Sequence, residues 1–231
     1  MPRLVTINAL IDRAKKRADL ENSTHISAVE WQSLVAEQYG ELYGAVATSG
    51  LRYFETSSTL TTTGADYLSE PVQVLAVVGL SYLPTGATGE RQPLQELMIQ
   101  EVPRFSGQTG SIARFFAVID DRVYLYPKPP AGQSYELLYV PQATDYNDPA
   151  DPDQFIDVVT PDGEAFLIWG TAVKALSKSE SDVRLAIAER EAARQRLEHW
   201  ATLRSMTQPR RRVVDDLVAH PWDPADWGPR W

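Results

Sequence analysis

Cysteine is absent from this sequence, and basic residues are fewer than acidic ones. The lack of cysteine excludes disulfide bonds, thiolate metal sites and cysteine nucleophiles. Lysine and arginine total 22 against 31 aspartate and glutamate residues, which gives a formal net charge of −9. Because a protein that holds DNA on its own needs a basic face, this balance argues against a free-standing DNA-binding function.

Long apolar runs are missing as well. No stretch after the N-terminal residues Met1–Leu4 is apolar enough for a signal peptide or a membrane span. We therefore expect an intracellular, soluble protein that does not contact membranes. With 231 residues, 43% of them hydrophobic, the chain can bury a core in one large domain or two small ones.

The motifs of common catalytic and metal sites are also missing. The three histidines, His25, His199 and His220, are too far apart in sequence to indicate a metal-binding pair. The glycine-rich stretch Gly107–Ser111 lacks the lysine of a phosphate-binding loop, so we interpret it as a surface loop. The aspartate-rich segment Asp145–Asp157 does not follow the calcium-loop pattern. We expect a protein that is not an enzyme and that needs no metal or cofactor.

Apolar residues at helical spacing predict a first helix over Thr6–Leu20. A cluster of basic residues on this helix has two interpretations, a solvated helix face or a contact with an acidic partner. The cluster consists of Arg13, Lys15, Lys16 and Arg17.

The second predicted helix has the clearest local signature in the sequence. Ser27 and Glu30 match a capping box, and Ile26 and Trp31 occupy the positions of a hydrophobic staple. The apolar periodicity then continues to about Ser49–Gly50.

Two glycines, Gly40 and Gly44, lie inside this second helix. Each costs about 1 kcal/mol relative to alanine in a helix interior. We interpret them as the place where a neighbouring helix approaches closely, and a simple weak point in the helix is the alternative.

From Leu51 the apolar period changes to two, which is typical of strands. Extended chain is predicted over Thr56–Thr63 and a buried strand over Pro71–Leu83, followed by a short helix over Pro93–Val102. Two hairpins come next, with strands at Ile112–Ile119, Val123–Tyr126 and Tyr135–Val140. These elements predict an antiparallel sheet of about five strands, inserted between the helices.

The longest helical pattern covers Pro161–Met206. Thr160 can cap its start, and proline suits the first helical position. At about 1.5 Å per residue, one straight helix would be roughly 65–70 Å long, which exceeds the diameter of a small domain. A break is expected within Ser177–Asp182, where Ser179 together with Asp182 can cap a second helix. One bent helix and two abutting helices both agree with this pattern.

A tail rich in proline and tryptophan, Thr207–Trp231, follows the long helical pattern. The proline spacing excludes a helix near its end and favours extended chain. A disordered terminus is one interpretation, but disordered termini are usually poor in aromatic residues, whereas tryptophan is a typical interface anchor. We predict a docking arm whose partner-binding residues are Arg210, Arg211, Arg212, Trp222, Trp227 and Trp231.

Together these elements predict an α+β protein that is mainly helical. Residues 1–50 and 160–206 are expected to form a helical bundle, into which an antiparallel β domain is inserted at 51–143. An acidic loop at 144–159 and an extended C-terminal tail at 207–231 complete the predicted organisation. An inserted sheet, a long helix and an aromatic tail all need partner surfaces, which favours a protein of an assembly.

Several segments that follow one another in a characteristic order support that interpretation. They are Trp31 with Glu37–Tyr43, Gly64–Pro71, Val123–Gly132 with Tyr135–Tyr139, and the helix from Pro161 that ends in Arg204. Each segment is weak alone, but in this order they resemble the head-to-tail adaptor (connector) proteins of tailed bacteriophages. The resemblance covers about residues 5–206.

The resemblance implies a structural virion protein at the head-tail junction, made in the host cytoplasm. Such a protein is expected to form a homo-oligomeric ring, commonly dodecameric, beneath the portal protein. The ring would carry the next tail component, whether stopper, tail tube or nozzle, and DNA would pass through its lumen without sequence-specific binding. The C-terminal tail would contact the portal. A head-completion stopper or tail-tube terminator is the first alternative, and a carboxylate-based glycan-degrading enzyme is the second.

Overall fold

The computed structural model describes residues 3–49, 52–69, 73–84, 91–146 and 154–207. Within these ranges the chain forms five helices and ten strands, and the strands belong to three sheets. The helices are α1 (Ile7–Ala18), α2 (Ala28–Thr48), α3 (Val102–Phe105), α4 (Pro161–Lys178) and α5 (Arg184–Thr207). The strands are β1 (Leu4–Thr6), β2 (Thr56–Thr61), β3 (Tyr67–Ser69), β4 (Val74–Leu83), β5 (Gln92–Pro93), β6 (Gln95–Glu96), β7 (Phe115–Ile119), β8 (Arg122–Tyr126), β9 (Ser134–Pro141) and β10 (Phe155–Asp157).

The predicted fold class, a mainly helical α+β protein, is wrong because strands form a much larger part of the fold than expected. β1 pairs with β10, a second sheet has the order β2-β9-β4-β5, and a third has the order β3-β8-β7-β6. The described pairs are antiparallel except β6 with β7, which run parallel with Gln95 opposite Phe115. The prediction of about five antiparallel strands missed several elements because strands of two or three residues are too short to show a period.

The helix predicted over Pro93–Val102 is also wrong. The chain there is largely extended, and helix α3 begins only at Val102. The N–H of Leu94 donates to the carbonyl of Leu80 (2.8 Å), and the N–H of Leu97 donates to the carbonyl of Phe116 (2.7 Å). Leu94 and Leu97 pack in two separate apolar clusters of the β-rich region. Their spacing, which suggested one face of a helix, therefore does not reflect a shared face.

The start of helix α2 is confirmed in detail. Ser27 Oγ accepts a hydrogen bond from the N–H of Glu30 (3.3 Å), and Glu30 Oε2 accepts one from the N–H of Ser27 (2.9 Å). Glu30 also pairs with Lys178 at the end of α4, and this contact, followed by the bonds from Ser27, lowers the pKa of Glu30 to about 2. The capping box therefore also joins α2 to α4.

The long C-terminal pattern consists of two helices, α4 and α5, and the chain breaks where a break was expected. Asp182 Oδ1 accepts a hydrogen bond from the N–H of Arg184 (3.0 Å) at the start of α5. Ser179, in contrast, ends α4, with its N–H donating to the carbonyl of Ala175 (3.1 Å). Because α5 folds back, Arg196 reaches Asp162 in the first turn of α4 (2.7 Å). No helix of 65–70 Å forms.

The stretch for which we predicted an acidic loop contains part of the core. Strand β10 pairs with β1, with Val5 opposite Ile156. Ile156 and Val158 are fully buried, and Val159 is nearly so. These residues join the apolar core between α1, α2, α4 and α5, while a second core lies among the sheets.

The interpretation of Gly40 and Gly44 is wrong, because a Cβ at either position would have no neighbour within 4 Å among the described atoms. The close approach occurs on α4 instead. A Cβ on Gly163 would lie 2.2 Å from the backbone oxygen of Val158, and a Cβ on Gly170 would lie 2.2 Å from Cδ of the buried Gln38. α2 and α4 therefore approach each other across a glycine of α4.

We expect Ser27→Ala to lower the free energy of unfolding by about 1 kcal/mol, because it removes the side-chain acceptor at the start of α2. Ser33→Ala, inside the same helix, is the control. It should not lower the free energy of unfolding, since alanine favours helices more than serine does. Chemical denaturation of both variants measures the difference. Equal stabilities would mean that the cap does not contribute.

We expect Gly163→Ala to destabilise the fold by about 1–3 kcal/mol, because the new Cβ meets a backbone oxygen that cannot move away alone. Gly40→Ala should have the opposite sign and stabilise by up to about 1 kcal/mol, because its Cβ points into open space and alanine favours helix. Thermal melts of the two variants provide the comparison. A stabilising Gly163→Ala would show that the approach to Val158 is not tight.

Candidate partner-binding site

The residues predicted to bind a partner all lie in the C-terminal tail. Arg210, Arg211, Arg212, Trp222, Trp227 and Trp231 fall outside the described residues, which end at 207. Their role therefore stays a prediction. The described chain does contain the base of the tail, the last turns of α5, and this surface can be built from its residues.

Aromatic and basic side chains contact one another near the end of α5. Trp200 is half-buried and packs edge-on against Tyr53, with 6.4 Å between ring centroids. The guanidinium of Arg204 lies over the Trp200 ring, 5.4 Å from its centroid. Leu203 remains 53% exposed. Helix α5 thus packs against the rest of the chain at Trp200, and exposed apolar surface lies beside its last turns.

A groove of about 540 Å³ lies along α5 beside this end. Its polar side includes the ion pair of Arg196 with Asp162 (2.7 Å), and its apolar side includes Trp200 and Leu203. The full lining is Asp162, Ala192, Gln195, Arg196, His199, Trp200 and Leu203. The groove is mixed in character and shows no set of side chains arranged for chemistry.

The basic cluster of α1 lies on an exposed helix face, as the first of its two interpretations expects, since Arg13, Lys16 and Arg17 are exposed. Arg13 pairs with Glu164 of α4. Two further members contact aromatic rings, Lys15 over Trp31 at 5.8 Å and Arg17 over Trp169 at 5.1 Å. Three of the four side chains therefore contact other parts of the same chain, which the spacing along one helix could not reveal.

Glu164 is the most buried carboxylate among the ion pairs of the described residues. Its side chain is only 6% exposed. Oε2 accepts hydrogen bonds from Arg3 Nε (2.9 Å) and Nη2 (2.6 Å), and Oε1 faces Arg13. The carboxylate also lies in the first turn of α4, where the helix dipole favours negative charge. It connects the N-terminal segment, α1 and α4 at one buried point.

A series of exposed ion pairs links α2 to α4 and α5. Lys174 lies between two carboxylates of α2, at 3.0 Å from Glu37 and 3.3 Å from Glu41. Exposed pairs of this kind each contribute little to stability, but together they favour one alignment of the helices. The pairs are Glu30–Lys178, Glu37–Lys174, Glu41–Lys174 and Glu41–Arg190.

Tyrosines connect the helices to the β-rich region. Tyr43 stacks on Phe54 with 4.1 Å between centroids, and its hydroxyl donates to the carbonyl of Pro141 (2.6 Å). The hydroxyl of Tyr53 donates to Asp157 (3.0 Å). Burial, followed by this bond to a carboxylate, raises the pKa of Tyr53 to about 12. The phenols therefore stay protonated at neutral pH and act as donors, Tyr43 to the β-rich region and Tyr53 to strand β10 beside the helical core.

The described ranges contain no group of three or more His, Asp or Glu side chains placed to hold a metal ion. His25 and His199 lie on separate exposed surfaces, at the chain before α2 and in the groove of α5. Among these same residues, none of the helices is both long and apolar enough to cross a membrane.

The glycine-rich loop predicted from the sequence lies beside a cavity of about 500 Å³. Gly110 donates its N–H to the carbonyl of Lys128 (3.0 Å), and a Cβ at this position would lie 2.5 Å from Cγ of Pro127. The glycine therefore serves the packing of the loop against the chain after β8.

We expect Glu164→Gln to lower the free energy of unfolding by roughly 1–3 kcal/mol, because two arginines lose their shared buried anion. The control is Glu198→Gln, which breaks the exposed pair of Glu198 with Arg194 (2.8 Å). That change should cost less than about 0.5 kcal/mol. Chemical denaturation distinguishes the two, and equal losses would mean that Glu164 contributes no more than a surface pair.

Comparison with known families agrees with the resemblance found in the sequence. The family model described as SU10 adaptor protein matches residues 5–217, a range that includes every described helix and ends before Trp222. A comparison with curated proteins finds no match. Since the match covers most of the chain, the protein belongs to the SU10 adaptor protein family of phage head-tail adaptors and is a virion component.

Proposed function

We propose that the protein forms a homo-oligomeric ring, most simply a dodecamer, that binds beneath the portal and joins the capsid to the tail. The match to the adaptor family over residues 5–217 is the observation that carries this proposal. The partner on the far side of the ring is the next tail component, a stopper, tail tube or nozzle. The role is structural, and no catalytic step is assigned to it.

DNA passes through the lumen of the proposed ring without sequence-specific contacts. A lumen with a basic surface would bind phosphates and hold them, with each neutralised phosphate adding to the affinity. The net charge of −9 supports a lumen that is neutral or acidic. The contacts of Arg13, Lys15 and Arg17 within the same chain also support it, because these cations already have a carboxylate or an aromatic ring beside them.

The C-terminal tail is the proposed contact with the portal. A buried tryptophan at an interface can contribute about 2 kcal/mol or more, and three can offset the cost of ordering short anchored segments, roughly 1–2 kcal/mol per residue. Prolines reduce that cost, since an extended segment with few free conformations loses less entropy on binding. The proposed contact residues are Arg210, Arg211, Arg212, Trp222, Trp227 and Trp231.

The family match also divides this tail into two parts. It includes Arg210–Arg212 but ends at residue 217, before the three tryptophans. We infer that the arginines and the tryptophans contribute separately to the portal contact, the arginines by charge and the tryptophans by apolar burial. Before the tail begins, Trp200 of α5 packs on Tyr53 and under Arg204.

Mass photometry tests the ring directly. The purified protein alone should give a particle whose mass is a multiple of the 25.8 kDa chain, and with its portal the mass of the portal should increase by such a multiple. Electron microscopy of the same sample should show a ring with an axial opening. A protein that stays monomeric with and without portal contradicts the ring, and a monomer that cleaves glycans would favour the enzyme alternative.

We expect truncation after Leu217 to weaken portal binding roughly tenfold to a hundredfold, because the three tryptophans are lost. Truncation after Met206 should weaken it further and remove most of its salt dependence, because the arginines are lost as well. Both truncated chains should keep the melting temperature of the full chain, which serves as the folding control. Binding that is unchanged in both would place the portal contact elsewhere.

A further inference from the structure

Strand β2 leaves one edge of its sheet open. In the order β2-β9-β4-β5 it is a terminal strand, and it pairs with β9 over six residues without a shift in register. No strand in the described parts of the chain pairs with its other edge. An open edge of this kind presents unpaired backbone donors and acceptors.

The register identifies which backbone groups point outward. The N–H of Thr62 donates to the carbonyl of Gln133 (2.9 Å), so the groups of Thr62 face β9. In an antiparallel pair the direction alternates from one residue to the next. The N–H and C=O groups of Ser57, Thr59 and Thr61 therefore point to the open edge, and the side chains of these residues are exposed.

The other described edges of the three sheets are short. β1, β3 and β10 have three residues each, and β5 and β6 have two each, with Pro93 in β5. β2 has six residues, and its sequence contains no charge, proline or glycine. Short strands, charges and prolines are the usual means by which proteins prevent edge pairing. β2 uses none of these means, which indicates that its edge is covered in the working state of the protein.

We propose that a strand of a second copy of this chain pairs with the open edge of β2 and continues the sheet from one copy to the next. The inference rests on the proposed ring, in which each copy has neighbours of its own kind. Each copy carries a net charge of −9, so neighbouring copies repel unless their contact surfaces are uncharged or complementary. The run Thr56–Thr63 has no charged residue. The contact is head-to-tail, with β2 meeting a different segment of its neighbour, because such contacts close into rings.

Thr59→Pro is the test variant. It removes an outward N–H and leaves the hydrogen bonds between β2 and β9 intact, and proline is tolerated at such edge positions. The control is Thr59→Ala, which removes the side chain but keeps the N–H. In mass photometry we expect rings for the wild type and Thr59→Ala, and mainly monomers for Thr59→Pro, with circular dichroism showing all three folded.

Hydrogen exchange on the wild-type chain gives a measurement that does not depend on a variant. The amides of Ser57, Thr59 and Thr61 should exchange at least about tenfold more slowly in the ring than in the diluted monomer. The amides of Ser58 and Leu60, which face β9, should be protected in both states. This pattern is expected only if a new strand pairs at the outer edge.

The outcomes separate the two proposals. Rings whose outward amides stay unprotected, or rings formed equally well by Thr59→Pro, overturn the edge contact and leave the ring intact. Isolated dimers joined through β2 overturn the head-to-tail arrangement. Rings in which these amides become protected only after portal is added would identify the portal as the strand donor and overturn a second copy. A wild-type chain that never forms rings overturns both proposals.

Discussion

The close approach of the backbone at α4 is the constraint on which the helical part of the protein depends. Helix α4 packs against α1, α2 and α5. Gly163 lets its first turn lie against the carbonyl of Val158, and Gly170 lets α2 approach until the buried Gln38 lies over the helix backbone. Only with α4 at this depth does Glu164 meet Arg3 and Arg13 at one point, because a carboxylate is tolerated there only with its partners in place. The ion pairs between the helices then favour a single alignment. Packing at the glycines therefore sets the distance between the helices, and the weaker ion pairs select their alignment.

A protein held together in this way suits an assembly role better than a catalytic one. Titratable groups that the fold buries join elements: Tyr43 donates to the β-rich region, Tyr53 donates to strand β10, and Glu164 joins α1 to α4. Two surfaces of the described chain remain open to other molecules. They are the groove near the end of α5 and the open edge of β2. Both are suited to contacts with other chains, and they lie in different parts of the sequence. An adaptor needs at least two such surfaces, because it must contact other head and tail components on both sides.

The sequence predicted correctly those elements that depend on residues close together in the chain. The capping box of α2, the break before α5 and the turn between β7 and β8 all depend on residues a few positions apart. The wrong predictions concern features fixed by distant residues. Leu94 and Leu97 have helical spacing but bond to different strands, and Gly40 was assigned a close approach that occurs at Gly170 instead. Short strands such as β6 have no period to detect. The candidate site was predicted from the composition of the tail, namely its tryptophans and arginines. These residues lie outside the described part of the chain, so the structure shows only the helix that precedes them.

Tyr43 contacts both ends of the β-rich region, and this has a consequence for how the protein can change. Phe54, where the chain leaves the helices, stacks on its ring, and Pro141, where the chain returns, accepts its hydroxyl. Apart from Val78 and Val140, which pack in the helical core, the chain between these two points forms a closed loop whose ends meet at Tyr43. The entropy of closing a loop changes slowly with its length. Insertions and deletions among the strands can therefore accumulate in evolution without moving α2 or α4, and a phage can alter the shape of its sheets while the helical frame stays the same.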